Sequence, residues 1–308
     1  MAKKLGLKSV IKLLPIIVKS SQKLARPPIS GFSVAAVGLA SDGRIFVGVN
    51  VEFPGLPLHH SIHAEQFLIT NLSLYPQTHL KNIVVSAYPC GHCRQFLQEI
   101  RGAPDIQILV LNSSNNFDDE NGIFNQINED GFIPLSHFLP HRFGPDDLLD
   151  KDVPLILETR DNNLVLKDAE NGELCNGYLA FDGKKLIPAA FEAANKSHAP
   201  YSGCPSGVAL IDEFGNIFKG SYMESAAYNP SMGPAQAAFI AYMAMAKGGD
   251  GGVVGASFDR IVGAVLVEVE GALVRQEETV RLLLMKASPK CEFHVYHCMK
   301  SGSSTMMG

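Results

Sequence analysis

The sequence has no run that approaches the ~20 consecutive apolar residues of a bilayer-spanning helix. The best candidate, residues 13–18, is interrupted by Pro15 and followed at once by Lys19, so no membrane partner is expected. Cysteine is scarce: six in 308 residues cannot staple a chain of this size. A reducing compartment, the cytosol, is therefore the expected location. An excess of positive charge is also missing, because 26 Lys and Arg face 31 Asp and Glu for a net charge of −5. That balance argues against a surface built to hold a nucleic-acid backbone. Acids are absent before Asp42, where Lys3, Lys4, Lys8, Lys12, Lys19, Lys23 and Arg26 accumulate. A basic, acid-poor start is the composition of an organelle transit peptide.

A rival explanation of that start comes from an internal repeat. Pro28, Ser30, Gly31, Gly43, Ile45, Phe46, Gly48, Glu52 and Phe67 recur as Pro200, Ser202, Gly203, Gly215, Ile217, Phe218, Gly220, Glu224 and Phe239, each 172 positions later. Two copies are too few for a solenoid and imply two similar domains in one chain, as the length also suggests. At the same offset Leu14 meets Leu186, and the helical patterns 13–26 and 185–198 correspond. The basic start is thus expected to be mostly the first helix of a domain. The expected division is a stub at 1–12, a first domain at 13–150, a linker at 151–178, a second domain at 179–298 and a tail at 299–308.

Strands are expected over 33–40 and 45–53, joined by Asp42-Gly43, a hairpin signal. A helix over 63–74, a strand over 83–86, a helix over 91–100 and a strand over 106–111 follow. Strands alternating with short helices indicate an α/β fold, a mixed sheet covered by helices. Residues 112–130 are polar and too long for an ordinary connection, and are expected to form a surface loop.

Two segments carry chemistry: His63-Ala64-Glu65-Gln66 opening one helix and Pro89-Cys90-Gly91-His92-Cys93 opening the next. One imidazole and two thiolates make a three-ligand zinc set that leaves the fourth tetrahedral position open, as a catalytic site requires. A structural zinc or a redox CxxC explains neither the HAE segment on a separate helix nor the missing fourth ligand. His92 points elsewhere if the cysteines open a helix. Glu65, two residues from His63, does not share its helical face, which makes it a proton carrier rather than a ligand.

HAE followed by PCxxC matches the signature of zinc-dependent nucleoside and nucleobase deaminases, in which a bound hydroxide attacks the aminated carbon and the glutamate shuttles protons. With ARPPISGFSV, GVNVEF, HHSIHAEQF and PCGHCRQFLQEI, the chain resembles the two-domain, homodimeric cytidine deaminases of plants and enteric bacteria from about residue 13 to 298. The resemblance implies a three-layer α/β/α cytidine-deaminase-like fold duplicated in tandem, one Zn2+ per chain on His63, Cys90 and Cys93, and Glu65 as catalytic acid and base. It implies a free nucleoside as substrate, with Asn50 and Glu52 at the ribose and Phe32 packed near the base. Backbone groups near Ala64 are expected at the base edge. Asn50 and Glu52 lie two apart on an expected strand and so share one face, where Glu52 could accept from sugar hydroxyls. A solvated strand edge is the alternative for that pair. A fixed carboxylate there would repel a phosphate ester, which disfavours a nucleotide or polynucleotide deaminase. A catalytically dead zinc scaffold is the rival from another class, although it has no use for a water-side glutamate.

In the second domain the offset of 172 puts Ala235 and Ala237 at the places of His63 and Glu65, and Val262 and Val265 at those of the cysteines. No metal is expected there. The resemblance implies that residues 224–230 wall the partner subunit's active site in a dimer. Cys291, His294, His297 and Cys298 alternate as a strand does and cannot converge on one ion, because residues 291 and 297 would lie ~20 Å apart. That stretch is expected to be a core strand.

Overall fold

The computed structural model describes residues 9–75, 78–111, 131–167, 183–245 and 257–301. The first half contains α1 (Leu14–Ser21), β1 (Ala35–Ala40), β2 (Ile45–Val49), α2 (Ala64–Ser73), β3 (Leu80–Val85), α3 (Gly91–Phe96), β4 (Gln107–Val110) and β5 (Ile133–Pro134). Two short helices, α4 (Leu135–Phe138) and α5 (Pro145–Leu148), follow. The second half contains β6 (Leu164–Leu166), α6 (Gly183–Asn195), β7 (Ser206–Asp212), β8 (Ile217–Ser221), α7 (Pro234–Met245), β9 (Ile261–Val269), α8 (Glu277–Ala287) and β10 (Glu292–Lys300).

Each half builds one mixed five-stranded sheet, in the orders β2-β1-β3-β4-β5 and β8-β7-β9-β10-β6. In both, the third and fourth strands are parallel and the other neighbours antiparallel. The outer strand differs in origin: β5 follows β4 in the chain, whereas β6 precedes its entire sheet. Leu164–Leu166, expected within the linker, is therefore part of the second sheet, and Leu164 pairs with Lys300, expected in the tail. Backbone pairing at a sheet edge overrides the polar composition of its surroundings. The expected loop at 112–130, most of the stub and most of the tail lie outside the described residues.

The β1–β2 hairpin turns on Gly43, whose φ of +85° is left-handed. This is a conformation that glycine adopts at no steric cost. Gly215, at +81°, does the same between β7 and β8. Gly48 on β2 has another role: a Cβ there would lie 2.2 Å from Ala64 O and 2.4 Å from Leu68 N. Its counterpart Gly220 would meet Ala238 N at 2.1 Å and Pro234 O at 2.3 Å. Strand and helix backbones thus touch, β2 to α2 and β8 to α7. Gly207 on β7 approaches Ala194 N of α6 as closely, at 2.3 Å. Gly207 pairs with Ser221 and Val208 with Gly220, so α6 and α7 cover opposite faces, giving three layers. Leu14 of α1 and Leu186 of α6 are both fully buried. The helices α2 and α7 pack on each other, merging Leu68, Leu72, Phe239 and Tyr242 into one core.

The register corrects the single offset read from the sequence. It holds through the hairpins, where Leu39 pairs with Ile45 and Ile211 with Ile217. It changes where Val51 pairs with Ile62 and Met223 with Met232. The connection into the helix is two residues shorter in the second half. Accordingly Phe67 N donates to His63 O, and Ala237 N to Gly233 O. The counterparts of His63 and Glu65 are Gly233 and Ala235, not Ala235 and Ala237, and Phe67 corresponds to Ala237, not Phe239. Val84 faces Val37 as Val265 faces Ala209, so Val262 and Val265 belong to β9 and not to the ligand positions. Residues 270–276, which lead from β9 towards α8, contain neither Cys nor His. The second half still has no ligand set, by a different alignment. Residues 292–300 form the strand β10, yet only Cys298 of it is buried, so it is not the core strand expected.

Candidate active site

Two helix starts converge. His63 is the N-cap of α2 and Cys90 the N-cap of α3, both in extended backbone, and Cys93 lies in the first turn of α3. Unsatisfied N–H groups at helix N-termini favour thiolate at such positions. His63 Nδ1 lies 3.4 Å from Cys90 Sγ and 3.3 Å from Cys93 Sγ, and the two sulfurs are 3.7 Å apart. A tetrahedral ion at ordinary Zn–S and Zn–N lengths separates its ligands by about 3.8 Å for S to S and about 3.5 Å for S to N. The donor set and its spacing therefore fit zinc, with one position free. His92 is not in this group; its ring lies 5.4 Å from that of His63. The hydrogen bond from Cys93 holds Cys90 down to about 3, and the same bond together with burial pushes Cys93 up.

Glu65, 5 % exposed, stands beside the trio with Oε2 3.3 Å from Cys93 Sγ. Burial raises its pKa, the direction that suits a carboxyl that must both take and give a proton. Ala64 turns its carbonyl towards Gly48. As the first residue of α2, it has no intrahelical acceptor for its N–H.

The other expected residues form a clasp. Glu52 Oε2 accepts from Ile29 N at 2.8 Å and Ser30 N at 2.9 Å, and Oε1 accepts from Ser30 Oγ at 2.6 Å. Partial burial pushes Glu52 up, but these bonds outweigh it and hold the carboxyl below its usual range. Ser30 Oγ in turn accepts from Phe32 N at 3.1 Å. Asn50 spans the same loop, accepting from Val34 N at 2.8 Å and donating to Phe32 O at 2.9 Å. It lies just past the end of β2, so Asn50 and Glu52 sit on an extended connection rather than on the strand. Phe32 is left 62 % exposed. Glu52 and His63 feel each other's charge, which places the clasp beside the metal ligands.

Three supporting residues escaped the sequence reading. Gln66 Oε1 accepts from His63 N at 3.4 Å while its Nε2 donates to Pro230 O of the second half at 2.9 Å. Its position three residues after the N-cap is the capping-box spacing, a signal that could have found it. Ser30 could have been found because it recurs as Ser202. Arg94 donates from Nε to Pro89 O at 2.6 Å and from Nη1 to Phe138 O at 3.1 Å, bracing the Cys90 turn. No sequence signal marked it.

Family models described as the cytidine and deoxycytidylate deaminase zinc-binding region match residues 9–110 and 135–281. The chain is 59 % identical to cytidine deaminase 1 of Arabidopsis thaliana, over 97 % of this chain and 95 % of that protein. It is 48 % identical to cytidine deaminase 6 of the same plant, over 94 % and 93 %. A crystal structure of cytidine deaminase from Mycobacterium tuberculosis aligns at 24 % identity with a TM-score of 0.35, covering 44 % of this chain and 99 % of that one. Two matched zinc-binding regions, relatives alike over nearly the whole chain, and a His-Cys-Cys trio with a buried glutamate beside it lead to one conclusion: the chain belongs to the cytidine and deoxycytidylate deaminase family.

Proposed function

We propose that the chain hydrolyses cytidine and 2′-deoxycytidine to uridine and 2′-deoxyuridine: water supplies the new carbonyl oxygen, the C–N bond breaks, and ammonia leaves. The observation that carries this reading is the buried Glu65 carboxyl set against a three-ligand zinc trio with an open fourth position. Zinc on His63, Cys90 and Cys93 would supply a Lewis acid that brings the pKa of water towards ~7. Glu65 takes a proton from the water at its carboxylate oxygen and delivers it to ring nitrogen 3, then takes the remaining proton from the new hydroxyl on the carbon and passes it to the amine, which departs as ammonia while the carbonyl forms. Burial raises its pKa, the direction that lets a carboxyl hold the proton it later gives back. Phe32 packs near the base, the Ala64 N–H serves the base edge, and Asn50 and Glu52 meet the ribose.

Catalysis is assigned to the unit at 13–150, and burial and closure to the unit at 179–298. The proposed working form is a cytosolic homodimer in pyrimidine salvage. Exposed Phe32, Tyr88 and Cys90 at the site mouth support a second copy as cover, supplied by its residues 224–230, of which Ala227, Tyr228 and Asn229 are exposed. Elemental analysis with an ammonia-release assay on cytidine, its 5′-monophosphate and single-stranded DNA tests the reading. One zinc per chain with strong preference for the nucleoside is expected. Absence of zinc from active protein, or equal efficiency on the monophosphate, would overturn it.

A further inference from the structure

A cavity of ≈ 350 Å³ opens between the two halves, lined by none of the residues assigned to the reaction. Thr70 and Ser73 of α2 form one wall, Arg160 and the preceding segment a second, and α6 with β8 a third. Its donors and acceptors are unbalanced. Glu192 accepts from Lys196 Nζ at Oε1, 2.6 Å away, and from Lys219 Nζ at Oε2, 2.7 Å away. Glu158 is occupied by Arg101 at 3.0 Å to each oxygen and by Leu155 N at 2.7 Å. The Ser73 and Ser221 hydroxyls donate to the Thr70 and Ala193 carbonyls.

Each lysine ammonium has donors beyond the one it has used. Arg160 commits Nη2 to the carbonyls of Pro154 and Leu155 and, among the described residues, has no ion-pair partner. Burial draws its pKa to about 10 despite Glu158 and Glu99 nearby. At the wall, buried His198 gives Nε2 to Glu99 at 3.2 Å, and its Nδ1 has no hydrogen-bond partner. The lining also includes the apolar side chains of Leu74, Ile156, Leu157 and Met223. The lining sets three cations, Arg160, Lys196 and Lys219, against the two carboxylates Glu158 and Glu192 in a chain of net charge −5, an excess of positive charge beside apolar side chains, the mixture that binds small organic ligands.

We propose that this cavity binds an organic anion of nucleotide size, with a phosphate or carboxylate meeting Arg160, Lys196 and Lys219 and a flat body lying on Ile156, Leu157 and Met223. The occupant bridges both halves and touches α2, the helix that begins at His63, so binding tightens the contact that supports the metal ligands. The site stands whether or not the catalytic reading does, because its readouts are binding and unfolding.

Uridine 5′-monophosphate is the probe, tested on the full chain by calorimetry and thermal unfolding, with uridine and inorganic phosphate as partial probes. The monophosphate should bind and raise the Tm, and each partial probe should bind at least about tenfold more weakly. Lys196→Gln with Lys219→Gln, both at exposed side chains, should change the Tm of the free protein little, because exposed ion pairs to Glu192 contribute little, and weaken binding about tenfold or more. Arg160→Gln serves as the second variant should that pair unfold. With active protein, inhibition should not be competitive with cytidine. No binding, binding indifferent to these variants, inorganic phosphate binding as tightly as the monophosphate, or purely competitive inhibition would overturn the proposal.

Discussion

The clasp around Glu52 has a twin in the half that has no metal ligands. Glu224 accepts from Tyr201 N at 2.8 Å, Ser202 N at 3.1 Å and Ser202 Oγ, and Ser202 Oγ accepts from Cys204 N at 3.0 Å. Bond for bond this repeats Glu52, Ile29, Ser30 and Phe32. What differs is the space around it. Where the first half has exposed Phe32 and half-buried Asn50, the second has Cys204 at 6 % and Tyr222 at 8 % exposure, with Glu224 itself at 3 %. The silent half has kept the brace and filled the pocket. A carboxylate in this fold is therefore first a means of shaping a loop, and it reaches a ligand only where its neighbours leave room.

The largest expected effect comes from removing the silent half. A chain ending at Asp150 strips α2 of α7 and of the Gln66 to Pro230 bond, exposing a shared apolar core. It should aggregate and lose cytidine turnover even with zinc bound. A soluble, fully active monomer in size-exclusion and ammonia-release measurements would dissolve the division of labour drawn above. Next is Glu65→Gln, which keeps shape and loses proton transfer. Turnover should fall by about 10²–10⁴ while elemental analysis still finds zinc.

Smaller effects test how the halves hold each other. His198 crosses to Glu99, while its counterpart Arg26 crosses the other way, 4.9 Å over the Phe258 ring. Burial holds the His198 pKa down to about 4. The unfolded chain thus binds a proton at His198 that the folded chain refuses. Stability is full above pH ~6.5 and declines as pH falls towards 4, by about 3 kcal/mol at most from this group. Unfolding midpoints across that range should show the decline, and His198→Asn should flatten it. The smallest effect compares the twin carboxylates. Glu52→Gln and Glu224→Gln should each cost about 1–2 kcal/mol in denaturant titrations, but only the first should raise KM for cytidine. Equal KM values would remove Glu52 from the ribose.

Short-range chemistry was legible in the sequence, because His63 with Glu65 and Cys90 with Cys93 each sit within one helical turn at a recognisable helix start. The alternation of strands and helices was legible for the same reason. The alignment of the halves was not. A gap-free offset hides a loop shortened by two residues, and the chance coincidence of Phe67 with Phe239 made it look unbroken. The contacts between halves were hidden as well. Gln66 to Pro230 and Glu99 to Ala226 N, the latter at 2.7 Å, join residues more than a hundred positions apart, and no local pattern announces them. Asn50 was read as a strand residue because its β-branched neighbours hide the bend after Val49, where Val51 turns to pair with Ile62.

Gly48 has one more consequence. Because β2 and α2 meet backbone to backbone, with Ala64 O and Leu68 N where a methyl group would go, the clearance between the connection bearing Asn50 and Glu52 and the first turn bearing Glu65 is set by main-chain atoms alone. No rotamer can absorb an error there, and a displacement of about 1 Å is enough to cost about a hundredfold in rate. The working gauge of the pocket is thus machined into the scaffold, and Gly220 preserves the same gauge in a half that no longer uses it.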